Sequence, residues 1–428
     1  MAPVTDFHIK EKYTYLNGFG SYHGSEALPD ASPLVNNSPQ KPPYGLRTER
    51  ISGTAFTAPR HQNLQTFMYR ISSSIEHSTF IPHGAAPKLP TNLTPNAYMW
   101  PSFSCADDTD WTRQELLAGN GDPSARMGCA LWLFAITKDM PERTASSSLD
   151  GDQLIIPQAG TLDIQTELGK LLVRQNEIAV IPRGIRYRVT LPAGAARGYV
   201  CELFQSHFQL PELGAIGSTG LANVRDFQIP TAYFDGELKD GVARAHDTGE
   251  WTMLSRLGGR LWSCAQNRTP FDVVAWHVFD EHDPSLFVVL TAPSGDPGAG
   301  VVDFAIVPPR WKVTEDTLRI PYYHRNVCPE FYGPIISAQD PMHPLNAASE
   351  GNAFFPFCAG LNGNMATHGA AEEDFQRNSN EELKPTKTTN DGYSIFLLET
   401  QKPLFVSDWA EEAAKGNSRP KKRGDAKM

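Results

Sequence analysis

From Gln153 to Pro192 the chain reads QLIIPQAGTLDIQTELGKLLVRQNEIAVIPRGIRYRVTLP, with apolar and polar residues alternating in short runs. Gly160, Gly169, Asn176 and Gly184 separate the runs. A period of two sends successive side chains to opposite faces of a strand, and Gly or Asn between runs supplies the turn. The pattern predicts a strand–turn–strand meander of the kind that builds a jelly roll. GYVCELFQSHFQLP continues it. A second β-rich block starts near position 270 with FDVVAWHVF, SLFVVLTAP and VVDFAIVPPRW, and closes with YSIFLLET and PLFVSDW. Inside that block, 333–390 is poorly periodic and carries Gly, Asn and Pro clusters. The first 150 residues hold few periodic segments, and TAFTAPR and TFMYRIS read as isolated strands among long loops. Short helices are expected around AEEDFQRNS and WAEEAAKG.

Composition supports a β-rich reading. Gly and Pro number 34 each among 428 residues, a density that suits many turns joining short strands. A length of 428 residues allows two large β domains. Within it the residues show a loop-rich first 150 positions, two β-rich blocks from 153 and from about 270, and a basic, disordered tail SRPKKRGDAKM. A net charge of -10 argues against nucleic acid as the partner, because phosphate binding needs basic surface. Nothing in the chain has the run of apolar residues that a membrane helix needs. The start, MAPVTDFHIKEKYTYL, lacks the apolar core of a secretory signal. The six cysteines, at 105, 129, 201, 264, 328 and 358, are scattered without CxxC spacing. They read as reduced thiols, which predicts a cytoplasmic protein.

Several familiar chemistries are excluded. NGFGSYHG is glycine-rich, but no βαβ pattern follows it, so it is not a dinucleotide site. No GxSxG occurs, and the meander has no His-x-His pair, which makes it structural. The second block differs: His277, His282, His324, Glu330, His343 and His368 all fall within it. His324 and Glu330 lie in YYHRNVCPEF. Residues six apart on a straight strand are roughly 20 Å from each other, so this pair can share a metal only if the chain turns back between them. Asn326 and Pro329 favour such a turn. Two imidazoles and one carboxylate on one face of an ion leave adjacent positions open, the facial triad of non-haem iron(II) oxygenases. His343 in PMHPL and His368 in MATHGAAEEDF are both candidates for the third ligand, and the glycine after His368 permits close backbone approach.

Long, ordered stretches carry a resemblance. YLNGFGSYHGSEALP, ISGTAFTAPR, DGDQLIIPQAGTLDIQTELGKLLV, GLANVRDFQIP, FDVVAWH, VPPRW and YYHRNVCPEF together make the chain resemble the homogentisate 1,2-dioxygenase family over nearly its whole length. The resemblance implies a mainly β fold, with a cupin-like β-sandwich followed by a jelly roll, assembled as a trimer or hexamer. It implies an Fe(2+) cofactor held by His324, Glu330 and His368, with ATHG matching the family's third-ligand motif. The implied reaction opens the ring of homogentisate with O2 to give maleylacetoacetate, a step in tyrosine and phenylalanine catabolism.

The match departs from the family beside the catalytic centre. His277 runs almost directly into VFDEHDPS, where the family has a further tyrosine-rich segment. The family's proton-accepting histidine aligns with Glu281, and a histidine stands one position later at His282. Either the loop adjusts so that His282 acts, or Glu281 takes the role, or the base is lost. The family's substrate-binding tyrosine aligns with Gln339, so the residues expected at the aromatic substrate are His368 and Gln339. Three readings follow: a homogentisate-cleaving enzyme, a diverged dioxygenase for another dihydroxy-aromatic, and an inactive metal-binding bicupin-like protein.

Overall fold

The structure, a computed structural model, describes residues 8–13, 15–16, 24–34, 36–52, 61, 65–72, 95–96, 98, 100–105, 108–210, 220–276, 287–293, 300–307, 311–312, 325–335, 359–368, 372–387 and 394–415. The chain divides into two compact units, Met1–Pro101 with Gln209–Phe227, and Ser102–Phe208 with Gln228–Met428. In the first unit β1 (Arg47–Ser52) pairs antiparallel with β2 (Gln65–Arg70). TFMYRIS thus supplies β2, while TAFTAPR lies outside the described residues.

The second unit begins with a β-sandwich. Its strands are β3 (Glu115–Asp122), β4 (Met127–Ile136), β5 (Thr144–Ser148), β6 (Asp152–Ala159), β7 (Thr161–Thr166), β8 (Gly169–Arg174), β9 (Ala179–Ile181), β10 (Tyr187–Thr190) and β11 (Ala196–Leu203). A small ribbon of β12 (Gly236–Lys239) and β13 (Val242–Ala245) follows, then β14 (Trp251–Leu257) and β15 (Arg260–Gln266). One sheet has the order β15-β14-β5-β10-β7-β8 and the other β3-β4-β11-β6-β9. The meander expected over 153–192 is β6 to β10. All four expected separators have positive φ: Gly160 at 81°, Gly169 at 136°, Asn176 at 72° and Gly184 at 79°.

Alternation decides which side chains meet between the sheets. Along β11, Ala196, Gly198, Val200 and Glu202 point inward, and along β7, Leu162 and Ile164 do. Of these, Ala196, Val200, Leu162 and Ile164 pack with Phe134, Ile136, Ile155 and Val189 in one core. The core also holds fully paired polar groups. The Trp111 indole donates to Tyr187 Oη at 2.9 Å, and Tyr187 donates to Gln153 Oε1 at 2.8 Å. Burial pushes the Tyr187 phenol up to about 12, so it stays a donor. Glu202 is wholly buried, accepts from the Trp132 indole at 2.8 Å, and pairs with Arg256 at 3.3 Å. The Arg256 guanidinium stacks 4.0 Å above the Trp132 ring.

The same unit continues with β16 (Phe287–Pro293), β17 (Gly300–Val307), β18 (Trp311–Lys312), β19 (Glu330–Ile335), β20 (Gly360–Asn362), β21 (Thr386–Lys387) and β22 (Ser394–Thr400). Five of them form one sheet in the order β16-β17-β22-β19-β20, and β18 pairs with β21. Two short helices, α1 (Glu372–Ser379) and α2 (Asp408–Lys415), fall where AEEDFQRNS and WAEEAAKG place them. The chain is mainly β, as the alternation implied.

Two apolar runs of the second block are not strands. Phe271–Trp276 is irregular because its ends are anchored on the sandwich. Phe271 packs edge-on against Trp251 with ring centroids 5.4 Å apart, and the Trp276 indole donates to the Leu168 carbonyl at 2.9 Å. Pro403–Ser407 leaves the sheet after β22, and Phe405 there is 85% exposed. No helix among the described residues is long and apolar enough to cross a membrane.

The Glu202–Arg256 pair is testable. Removing one partner strands a buried charge, so Glu202→Ala is expected to cost about 3–5 kcal/mol in denaturant unfolding. Glu202→Met with Arg256→Met should cost less than either single change, because no unpaired charge remains. A double variant less stable than both singles would contradict this.

Candidate metal centre

Glu330 is the first residue of β19. The bend 325–329, which contains Pro329, delivers the chain to it. In register, Glu330 sits opposite Glu399 of β22 on one side and Asn362 of β20 on the other. Glu399 in turn sits opposite Asp303 of β17. Directly opposed residues point to the same face of a sheet. One row across the sheet therefore reads Asp303, Glu399, Glu330, Asn362.

His368 meets Glu330 on this face. Its Nε2 lies 2.8 Å from Glu330 Oε2, and each side chain is only 10% exposed. The other ring nitrogen, Nδ1, donates to the Ala366 carbonyl at 2.8 Å. A carbonyl can only accept, so Nδ1 carries a proton. In neutral imidazole that leaves a lone pair on Nε2, aimed at a carboxylate oxygen that also has only lone pairs. Two acceptors at that distance repel unless a cation lies between or beside them. Protonating the ring is one solution, and a metal ion is the other.

The donor set fits a metal. A carbonyl on Nδ1 is the arrangement that fixes tautomer and orientation in metal-binding histidines. Two donors each about 2.1 Å from one ion, at a right angle, stand roughly 3 Å apart, close to the spacing seen here. Amides hold the carboxylate in place. Asn326 Nδ2 donates to Glu330 Oε1, and Asn362 Nδ2 approaches Oε2 at 3.5 Å. Burial pushes the nearby Cys328 thiol up, and the Glu399 carboxylate adds to the effect. The oxygen and nitrogen donors of Glu330 and His368 suit iron, manganese or zinc. Among the described residues, no group of three or more His, Cys, Asp or Glu converges as a metal site.

Of the residues expected from sequence, Glu330 and His368 are brought together. His324, Glu281, His282, Gln339, His277 and His343 lie outside the described residues. Sequence reasoning missed Asn362, Glu399 and Asp303, whose places depend on strand register. It treated Asn326 only as a turn former, although the amide's position four residues before Glu330 was a usable signal.

The row of acids has an electrostatic cost. Burial raises the Glu399 carboxyl above its ordinary value of 4.5, and the neighbouring Glu330 and Asp303 push it the same way. For a group raised by folding, the native state binds more protons than the unfolded one. Its contribution is complete below pH 4.5 and is lost as pH rises through the folded value. In metal-free protein, Glu399→Gln is expected to raise the melting temperature at pH 7–8 and to leave it nearly unchanged at pH 4. Melting curves that shift equally at both pH values would contradict this account.

Comparison with known proteins identifies the family. The family model described as homogentisate 1,2-dioxygenase N-terminal matches residues 14–281, and that described as homogentisate 1,2-dioxygenase C-terminal matches 269–422. Homogentisate 1,2-dioxygenase of Emericella nidulans is 47% identical over 435 aligned residues, covering 95% of this chain and 93% of the relative. The proteins of that name from Drosophila melanogaster and Dictyostelium discoideum are 39% and 40% identical, each covering 94% of both chains. The chain belongs to the homogentisate 1,2-dioxygenase family.

Proposed function

We propose that this chain holds one iron(II) ion through His324, Glu330 and His368 and opens the aromatic ring of homogentisate with O2, giving maleylacetoacetate. Family membership over nearly the whole chain supports the reaction class. The observation that carries the metal assignment is the buried approach of His368 Nε2 to Glu330 Oε2 at 2.8 Å. When bound, iron(II) supplies adjacent positions for a phenol oxygen and O2 and the electrons that activate oxygen. Glu330 contributes a negative oxygen donor, and Asn326 and Asn362 keep its two oxygens oriented. The Ala366 carbonyl holds His368 with Nε2 toward the ion. His368 and Gln339 face the substrate in this reading. The proposed organisation is a sandwich domain over 1–268, a catalytic domain over 269–412 and a tail over 413–428.

His282 is the proposed base. Neutral imidazole has an ordinary pKa near 6.5 and can take a phenol proton at working pH. An ionised Glu281, ordinarily near 4.3, is a weaker base and adds negative charge beside an anionic substrate. Gln339 in place of the family's tyrosine favours a second reading, in which the substrate is another dihydroxyphenyl acid. We also infer a cytoplasmic homo-oligomer. Trp262 on β15 and Leu290 on β16 are 58% and 68% exposed, which offers apolar surface for a second copy.

Oxygen uptake by iron-loaded protein with a panel of dihydroxyphenyl acids tests the reading. Homogentisate is expected to give the highest kcat/KM; another member of the panel doing so selects the second reading, and no uptake with any of them points to an inactive metal binder. Glu330→Ala is expected to lose most bound iron, and iron content equal to the parent's would refute the ligand assignment. His282→Gln should slow turnover about 10²-fold or more with iron content unchanged, and Glu281→Gln should do less. If Glu281→Gln is the slower variant, the base is Glu281. Light scattering that finds only a 47.2 kDa species at micromolar concentration would count against self-association.

A further inference from the structure

Two stretches, Arg325–Asn326 leading to Glu330 and Asn364–Thr367 leading to His368, are both fastened to the sandwich. Glu167, in the turn between β7 and β8, is buried. Its Oε1 accepts from the Arg186 backbone N–H at 2.8 Å and from Arg325 Nη1 at 2.9 Å. Arg325 Nη1 also donates to the Gly184 carbonyl at 3.0 Å. Arg325 directly follows His324 in the chain. From the other segment, the Met365 thioether packs over Gly184 so closely that a Cβ there would lie 1.8 Å from Met365 Cε. Gly184 has φ +79°, so glycine serves both the turn and the methionine. Arg186 Nη2 reaches Thr367 Oγ1 at 3.4 Å, and Asn364 Nδ2 donates to the Leu149 carbonyl at 3.1 Å. Thr367 directly precedes His368. The two segments are also tied together, because the Met365 N–H donates to the Asn326 carbonyl at 2.7 Å.

We propose that Glu167 and Gly184, through Arg325 and Met365, are positioning residues for the metal centre: the sandwich, without a ligand of its own, sets the spacing of Glu330 and His368, whose flanking stretches it holds. This rests on the reading that His324, Glu330 and His368 are the ligands. The reasoning is geometric. A metal site discriminates on tenths of an ångström, and a ligand on a loop is only as well placed as the residues flanking it. Here the flanking residues are held by a buried carboxylate, a backbone carbonyl and a side chain seated on a glycine. A purely structural contact would tolerate a small displacement; a contact one to three residues from a ligand passes it to the donor atom.

Cobalt(II) is a suitable probe, because its visible absorption reports ligand geometry without turnover and its affinity can be read by competition with a chelator. Glu167→Ala and Met365→Ala are each expected to weaken cobalt binding about 10- to 100-fold and to alter the visible spectrum, as loss of supporting contacts does at other metal centres. Glu167→Gln keeps an acceptor oxygen for Arg325 and should recover part of the loss. Glu330→Ala and the parent protein are measured alongside. If the parent fails to bind cobalt, or Glu330→Ala binds as well as the parent, the ligand reading itself is wrong. If those two behave as expected but Glu167→Ala and Met365→Ala bind with the parent's affinity and spectrum, the positioning role is refuted. A fall in melting temperature of the metal-free variants with unchanged cobalt affinity would also refute it, leaving an ordinary packing contact. Should Glu167→Ala not fold, Met365→Ala and Glu167→Gln decide the matter.

Discussion

Two lone-pair donors, a carboxylate oxygen of Glu330 and the Nε2 of His368, stand 2.8 Å apart in a place almost closed to water. Left alone, such a pair is unfavourable, and the low effective dielectric of a buried site makes it more so. The protein nevertheless spends hydrogen bonds holding them there: one amide on each carboxylate oxygen and a backbone carbonyl on the far side of the imidazole. A positive charge shared by the two groups turns that repulsion into attraction.

Further acidic groups lie beside this pair. Strand register places Asp303, Glu399 and Glu330 side by side, and their mutual repulsion together with burial keeps Glu399 inclined toward its neutral form. Two guanidiniums link this region to the sandwich: Arg325, at the start of the bend, reaches the sandwich carboxylate Glu167, and Arg126 of the sandwich donates to the Val327 carbonyl within the bend.

Legibility of this arrangement in the sequence follows the range of the interactions. The β6–β10 meander was readable because alternation and turn chemistry are local: each of Gly160, Gly169, Asn176 and Gly184 marks a position where the backbone enters a left-handed conformation. FDVVAW misled for the converse reason. Its apolar residues are used to tether an irregular segment to Trp251 and Leu168, and periodicity cannot tell a tether from a strand. Glu330 and His368 were visible through motif resemblance, since 38 residues separate them and no short-range rule brings them together. Glu399 and Asn362 were invisible because their relation to Glu330 is created by strand pairing alone.

The fastening of Arg325 to Glu167 joins residues 158 positions apart, and that of Asn364 to Leu149 spans 215. Such contacts have an order in time as well as in space. The sandwich segments leave the ribosome before the stretches that carry Glu330 and His368, and the turns at Glu167 and Gly184 belong to the β6–β10 meander. Long-range closure of this kind is slow and comes late in folding. The approach of Glu330 to His368 is therefore completed only with the finished fold, a product of tertiary structure that neither segment holds alone.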